Sequence, residues 1–132
     1  MRKIILAFSL FAISACTVLQ AGFIPENDKL NDATVGVAYY SQINILGGHV
    51  ISYDLHGKKT IVGDITPDNI GLRVQYCNEK NSNNCIQIRG VPINTGTVKV
   101  RVYGGLAGGM FSKAGEFDKT YTIKIKSPGG SS

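Results

Sequence analysis

The sequence predicts an all-β domain, and three observations carry that prediction. Apolar and polar residues alternate with a period of two along most of the chain after residue 33, turn-forming glycine, asparagine and proline interrupt the alternation at short intervals, and no segment past the apolar N-terminus has helical spacing. Period-two alternation sends successive side chains to opposite faces of a strand, so one face can be buried while the other meets water. Many short strands divided by regular turn signals are the pattern of a β-sandwich or barrel.

Taken in order, the first strand is expected from Val35 to Ile45 and ends at the Gly47-Gly48 break. Val50 to Leu55 follows, and Gly57-Lys58-Lys59 makes the next turn. Ile61 to Ile65 forms a short strand before the turn Thr66-Pro67-Asp68-Asn69, and Gly71 to Cys77 and Ile86 to Val91 flank a polar loop. In Thr97 to Tyr103, Val98, Val100 and Val102 share one face with Lys99 and Arg101 opposite. In Thr120 to Lys126, Tyr121, Ile123 and Ile125 point inward in the same way, which makes these the two closing strands. Ser127 to Ser132 has the composition of a frayed tail.

The N-terminus carries an address. Arg2 and Lys3 precede an apolar run from Ile4 to Ile13 that is followed by Ser14-Ala15-Cys16. Two cations, an apolar stretch shorter than the ~20 residues a bilayer core needs, and small residues before a cleavage point describe a secretory signal peptide. Ile13-Ser14-Ala15-Cys16 resembles the lipobox of bacterial lipoproteins. The resemblance implies cleavage before Cys16, a thioether-linked diacylglyceryl group and an acylated amine on that residue, and anchoring in an envelope membrane. Thr17 after the cysteine leans toward the outer membrane. Each buried methylene contributes ~0.8 kcal/mol, so several acyl chains give an essentially permanent anchor. Secretion with cleavage elsewhere is the alternative.

The resulting organisation is a signal peptide over residues 1–15, a lipidated tether over 16–33 that lacks periodicity, a β-sandwich over 34–126 and a tail over 127–132. Twelve basic residues against nine acidic remain after the signal, a net charge of +3. They are scattered rather than clustered or interleaved with aromatics, which argues against a nucleic-acid partner. Once Cys16 is committed to lipid, Cys77 and Cys85 remain, and an even pair in an oxidising compartment reads as a disulfide. The bond would close the polar loop 78–84 at its base. Neither cysteine has a second ligand at metal-binding spacing.

The order of three short motifs adds a resemblance. Val35-Gly36-Val37-Ala38-Tyr39-Tyr40, then Ile65-Thr66-Pro67-Asp68-Asn69-Ile70-Gly71-Leu72, then Ile88-Arg89-Gly90-Val91-Pro92 running on to Gly96 to Val102 resemble the immunoglobulin-like, cadherin-related domains of bacterial surface proteins. The resemblance implies an immunoglobulin-like antiparallel β-sandwich over residues 34–126, used for adhesion, spacing or protein contact. It brings no catalytic residue. The chain departs from the pattern in its disulfide loop and in Val91, which stands where a threonine is usual. Glu26, Asp28 and Asp32 read as a solvated linker, because a hard cation needs about six or more oxygen ligands.

Catalytic chemistry finds little to use. His49 and His56 flank Asp54, which permits a hydrolase or metal cluster to be imagined, but residues seven apart on a strand point to opposite faces. No serine sits in a G-x-S-x-G elbow, and oxidised cysteines are not nucleophiles. No catalytic residue, metal ligand or cofactor is therefore expected. The segment from Gly104 to Phe117 is the most suggestive for binding: five glycines give backbone freedom while Leu106, Met110 and Phe111 supply apolar contacts beside Lys113. The competing reading folds those apolar groups back over the core. Together these features predict an envelope lipoprotein with a non-catalytic binding or structural module, its partner another envelope protein or surface ligand. A periplasmic inhibitor or accessory subunit is the alternative.

Overall fold

The computed structural model describes residues 20–51, 62–78, 82–107 and 115–129. Nine strands run in order: β1 (Gly22–Ile24), β2 (Ala33–Thr34), β3 (Tyr39–Leu46), β4 (His49–Val50), β5 (Gly63–Thr66), β6 (Leu72–Asn78), β7 (Ser82–Gly90), β8 (Gly96–Ala107) and β9 (Gly115–Lys126). No helix occurs among the described residues. One sheet has the order β1-β3-β7-β6; the other has β2-β9-β8-β4, with β5 also paired to β8. The two sheets pack on each other as a β-sandwich.

The alternation read from sequence is what builds the core. Ile43 and Ile45 of β3 and Ile86 and Ile88 of β7 face Val98, Val100 and Val102 of β8 and Tyr121, Ile123 and Ile125 of β9, all essentially without solvent exposure. The closing strands pair as expected, from Gly96 opposite Ile125 to Leu106 opposite Gly115. Both run further toward residues 108–114 than the alternation indicates, because Gly104 and Gly105 interrupt the pattern without ending the ladder. Where the first strand was expected from Val35, a turn instead occupies residues 35–37 and β3 begins at Tyr39.

The expected tether is the main correction. Residues 22–34 lie in the fold. β1 pairs antiparallel with the end of β3, and β2 pairs parallel with β9. Between them the backbone follows β9: Leu30 donates its N–H to the Thr122 carbonyl at 2.9 Å, and Thr122 returns one to Asp28. The Tyr121 hydroxyl donates to the Pro25 carbonyl at 2.6 Å and the Tyr39 hydroxyl to that of Asn31 at 2.8 Å. Asp28 and Asp32, read as linker charges, pair with Lys119 at 3.0 Å and Lys126 at 3.2 Å. Only Leu30 and Ala33 of this stretch are buried, so no alternation announces it.

The two ends of the sandwich differ. At one, β1 begins, the Gly47-Gly48 turn carries the chain from β3 to β4, and β8 ends at Ala107, opposite His49. Asn84 of β7 holds that turn: its Nδ2 donates to the carbonyls of Ile45 at 2.7 Å and Gly48 at 2.6 Å, and its Oδ1 accepts from the Val50 N–H. The Cys77–Cys85 disulfide joins β6 to β7 at the same end and closes their hairpin, as the cysteine count predicts. At the opposite end the three short motifs converge. Gly36 donates its N–H to the carbonyl of the buried Pro92 at 2.9 Å, and Ile93 donates to Ile70 at 3.0 Å.

Candidate functional site

The segment singled out for binding borders a shallow cleft of about 580 Å³, lined by Arg101, Tyr103, Gly104, Gly105, Glu116, Phe117 and Asp118. Its shape follows from the strand pattern. Outward positions of β8 pass from Lys99 and Arg101 to Tyr103 and then to Gly105, which has no side chain, so the outer face drops away beside the tyrosine. Phe117 closes the floor from the inner side and meets Phe23 of β1 edge-to-face, with ring centroids 6.1 Å apart. Such geometry favours aromatic pairs beyond the area they bury.

Two of the three charges at the cleft, Arg101 and Asp118, are paired with each other, and Glu116 makes no ion pair among the described residues. Arg101 makes a two-pronged bond to Asp118, Nε to Oδ1 at 2.9 Å and Nη2 to Oδ2 at 2.7 Å. The same guanidinium lies 4.5 Å from the centre of the Tyr103 ring, and the Tyr103 hydroxyl donates to Asp64 Oδ2 at 3.0 Å. The bond from Arg101 holds the Asp118 carboxyl below its ordinary value, and Asp118 in turn raises the Arg101 guanidinium. The hydrogen bond to Asp64 and the charge of that carboxylate raise the Tyr103 phenol. Asp118 is thus fixed as an anion and is unsuited to act as a general acid at neutral pH. The arrangement is a rigid polar rim around an aromatic, which suits contact.

The residues named from sequence separate into three groups. Leu106 was named as a contact residue, but it lies in β8 opposite Val50 and is fully buried, so it belongs to the core. Its place in the alternation, two residues past Gly104, puts it on the inner face. Cys77 and Cys85 are joined. Cys16, Met110, Phe111 and Lys113 lie outside the described residues, as do Asp54 and His56, while His49 sits exposed at the start of β4. Among the described residues, no three metal-ligating side chains come together.

Sequence reasoning missed Tyr103, Arg101 and Asp118 as one cluster. Arg101 and Tyr103 are visible as outward residues two apart. Asp118 joins them only because the β8–β9 register sets it opposite Tyr103, and that register depends on where the intervening loop turns.

No family model matches the chain, and no curated protein matches it. Among solved structures the chain is similar to MfFcnA4, an endo-fucoidan hydrolase from glycoside hydrolase family 107 in variant form, at 19% identity and a TM-score of 0.39. The match covers 75% of this chain and 12% of that one. A likeness at this level bears on neither fold assignment nor activity.

Proposed function

We propose that the protein is a bacterial envelope lipoprotein, anchored through acylated Cys16 in the outer membrane, whose single immunoglobulin-like domain serves as a non-catalytic binding or structural module. The observation that carries this reading is the spacing between Cys16 and the fold. β1 begins at Gly22, so only residues 17–21 separate the proposed anchor from the sandwich. At most ~3.6 Å per residue, that connection reaches roughly 20 Å. An anchored domain is then held close against the bilayer, with the end bearing Gly22, Gly47 and Ala107 toward it. The cleft beside Tyr103 lies in that half of the sandwich, which suits a partner in or on the same membrane.

Two further features support the reading. The Cys77–Cys85 disulfide fits an extracytoplasmic compartment. The strand orders β1-β3-β7-β6 and β2-β9-β8-β4 support an immunoglobulin-like assignment, in which β1-β3-β7-β6 would take the ABED places and β9-β8-β4 the GFC places. The non-catalytic part rests on the sequence, which offers no activated nucleophile. Membrane fractionation combined with crosslinking from Tyr103 tests the proposal. Outer-membrane sedimentation that is lost in Cys16→Ser, with a discrete adduct formed from Tyr103 but not from Thr97 at the far end, is the expected result. A soluble wild type would refute the anchor, and adducts formed equally from both positions would refute the contact surface.

A further inference from the structure

The outer face of the β1-β3-β7-β6 sheet has a charge pattern unlike the rest of the molecule. These four strands contain only two charged residues, both arginine, and the β6–β7 ladder sets Arg73 directly opposite Arg89. Like charges in directly opposed positions destabilise a sheet. In the other sheet the register sets no like charges directly opposite each other: Lys99 and Lys124 face threonines, Arg101 faces Asp64 and pairs with Asp118, and Lys126 pairs with Asp32. Neither Arg73 nor Arg89 has a carboxylate within ion-pair distance among the described residues. Asp64 and Asp68 line the cleft beside Arg73 without pairing with it.

Around this pair the register builds an ordered polar surface. Tyr40 of β3 stands opposite Arg89, whose guanidinium lies 5.9 Å from its ring centre, so Tyr40, Arg89 and Arg73 form one row across three strands. The next row is Gln42, Gln87 and Gln75, of which Gln87 is buried and donates its Nε2 to the Tyr76 carbonyl, leaving Gln42 and Gln75 as the accessible amides. Hydrogen bonds within the strands fix these side chains: Tyr40 hydroxyl to Gln42 Oε1 at 2.8 Å, Gln42 Nε2 to Asn44 Oδ1 at 3.0 Å, and Arg73 Nε to Gln75 Oε1 at 3.2 Å. Among the described residues, the Arg89 guanidinium and Gln75 Nε2 have no hydrogen-bond partner. Two unneutralised guanidinium groups, a half-exposed tyrosine and a row of oriented amides are a combination that matches one ligand chemistry.

We propose that this face binds an acidic polysaccharide of the uronate type. Arg73 and Arg89 would take its carboxylates, since the guanidinium fork fits a carboxylate in a two-pronged bond. Gln42, Gln75 and Asn44 would meet ring hydroxyls with both donors and acceptors, and Tyr40 would cover an apolar sugar face. The amide row distinguishes this ligand from a phosphate polymer, which presents acceptors only and has no use for amide oxygens. The site is on the opposite sheet from the Tyr103 cleft and does not depend on the anchor.

Titration calorimetry of the detergent-solubilised full chain with polygalacturonate tests the assignment, with neutral dextran and inorganic polyphosphate as comparison probes. Polygalacturonate binds, Arg89→Gln weakens it at least about tenfold and Tyr40→Ala several-fold, whereas Lys99→Gln with Lys124→Gln, which removes charge from the other sheet, leaves it unchanged. Polyphosphate binds more weakly and is indifferent to Tyr40→Ala. Absence of polygalacturonate binding, an equal loss in the lysine variant, or polyphosphate binding as tight and as sensitive to Arg89→Gln would each overturn the assignment. The melting temperature of Arg89→Gln supplies a folding control: relief of the opposed charges outweighs loss of the Tyr40 ring contact and keeps it level or raises it, and a fall would contradict the claim that Arg89 has no carboxylate partner.

Discussion

Gly90 lies so close to Gly71 that a Cβ on Gly90 would collide with the Gly71 carbonyl oxygen, while a Cβ on Gly71 would collide with the carbonyl of Val91. Both residues adopt positive φ, 139° and 99°. The turn glycines of two sequence motifs are therefore packed directly on backbone, Gly90 on Gly71 and Gly71 in turn on Val91, and neither has room for a side chain. Gly36, at φ 81°, is the natural control, because a Cβ there would meet open space. Gly36→Ala is expected to cost about 1 kcal/mol from backbone conformation alone. Gly71→Ala and Gly90→Ala add backbone displacement and should cost about 3 kcal/mol or more, measured by urea unfolding.

Leu106 and Tyr103, three residues apart on β8, should behave oppositely. Leu106→Ala removes a fully buried side chain and is expected to destabilise by about 2–5 kcal/mol. Tyr103→Ala removes a partly exposed ring and should shift the unfolding midpoint little while abolishing crosslinking at the cleft. Similar large losses of stability in both variants would remove the reason for treating Tyr103 as a contact residue.

The disulfide closes a short hairpin loop, with a sequence separation of 8. In the loop-entropy account, closing a loop of this size stabilises by roughly 2–3 kcal/mol. Cys77→Ser with Cys85→Ser should lower stability by that amount in non-reducing buffer and become indistinguishable from wild type in dithiothreitol. A double variant as stable as the oxidised protein would show that the β6–β7 ladder needs no covalent closure.

Tyr121 gives the fold a signature at high pH. Burial, helped by the nearby Asp28 carboxylate, raises its phenol from 10 to about 12. The folded state therefore retains a proton that the unfolded chain releases near pH 10, so stability is complete below that pH and falls as pH rises toward 12. A shift of this size corresponds to at most roughly 3 kcal/mol. Tyr39, Tyr76 and Tyr103 are raised as well and add losses of the same sign. Tyr121→Phe should accordingly be less stable than wild type at pH 7, where it loses the bond to Pro25, and the gap should narrow above pH 10 in equilibrium unfolding. A gap that stays constant through pH 11 would contradict the assignment.

The sequence made the core legible and left the edges obscure. Val98-Lys99-Val100-Arg101-Val102 and Tyr121-Thr122-Ile123-Lys124-Ile125 are buried on one face over several residues, so burial imprints its period on them. β1 and β2 have three and two residues, too few to show a period, and the intervening chain is held by backbone bonds to β9 and by the hydroxyls of Tyr39 and Tyr121. Such contacts leave no mark on composition, which is why residues 22–34 resemble a linker. Surface sites are harder again. That Arg73 and Arg89 are neighbours follows from the register of a hairpin whose tip sets the offset, and nothing in either residue's local sequence records it.

The central claim is that Cys16 is the acylated first residue of the mature protein, which places the sandwich beside a membrane. Intact mass of the native protein extracted from the envelope of a Gram-negative host tests it most directly. The account predicts a chain that begins at Cys16 and carries the mass of a diacylglyceryl group and an N-linked acyl chain, with both absent from Cys16→Ser. A mature chain of unmodified mass, or one beginning after residue 16, would contradict the anchor and leave a diffusible domain in its place.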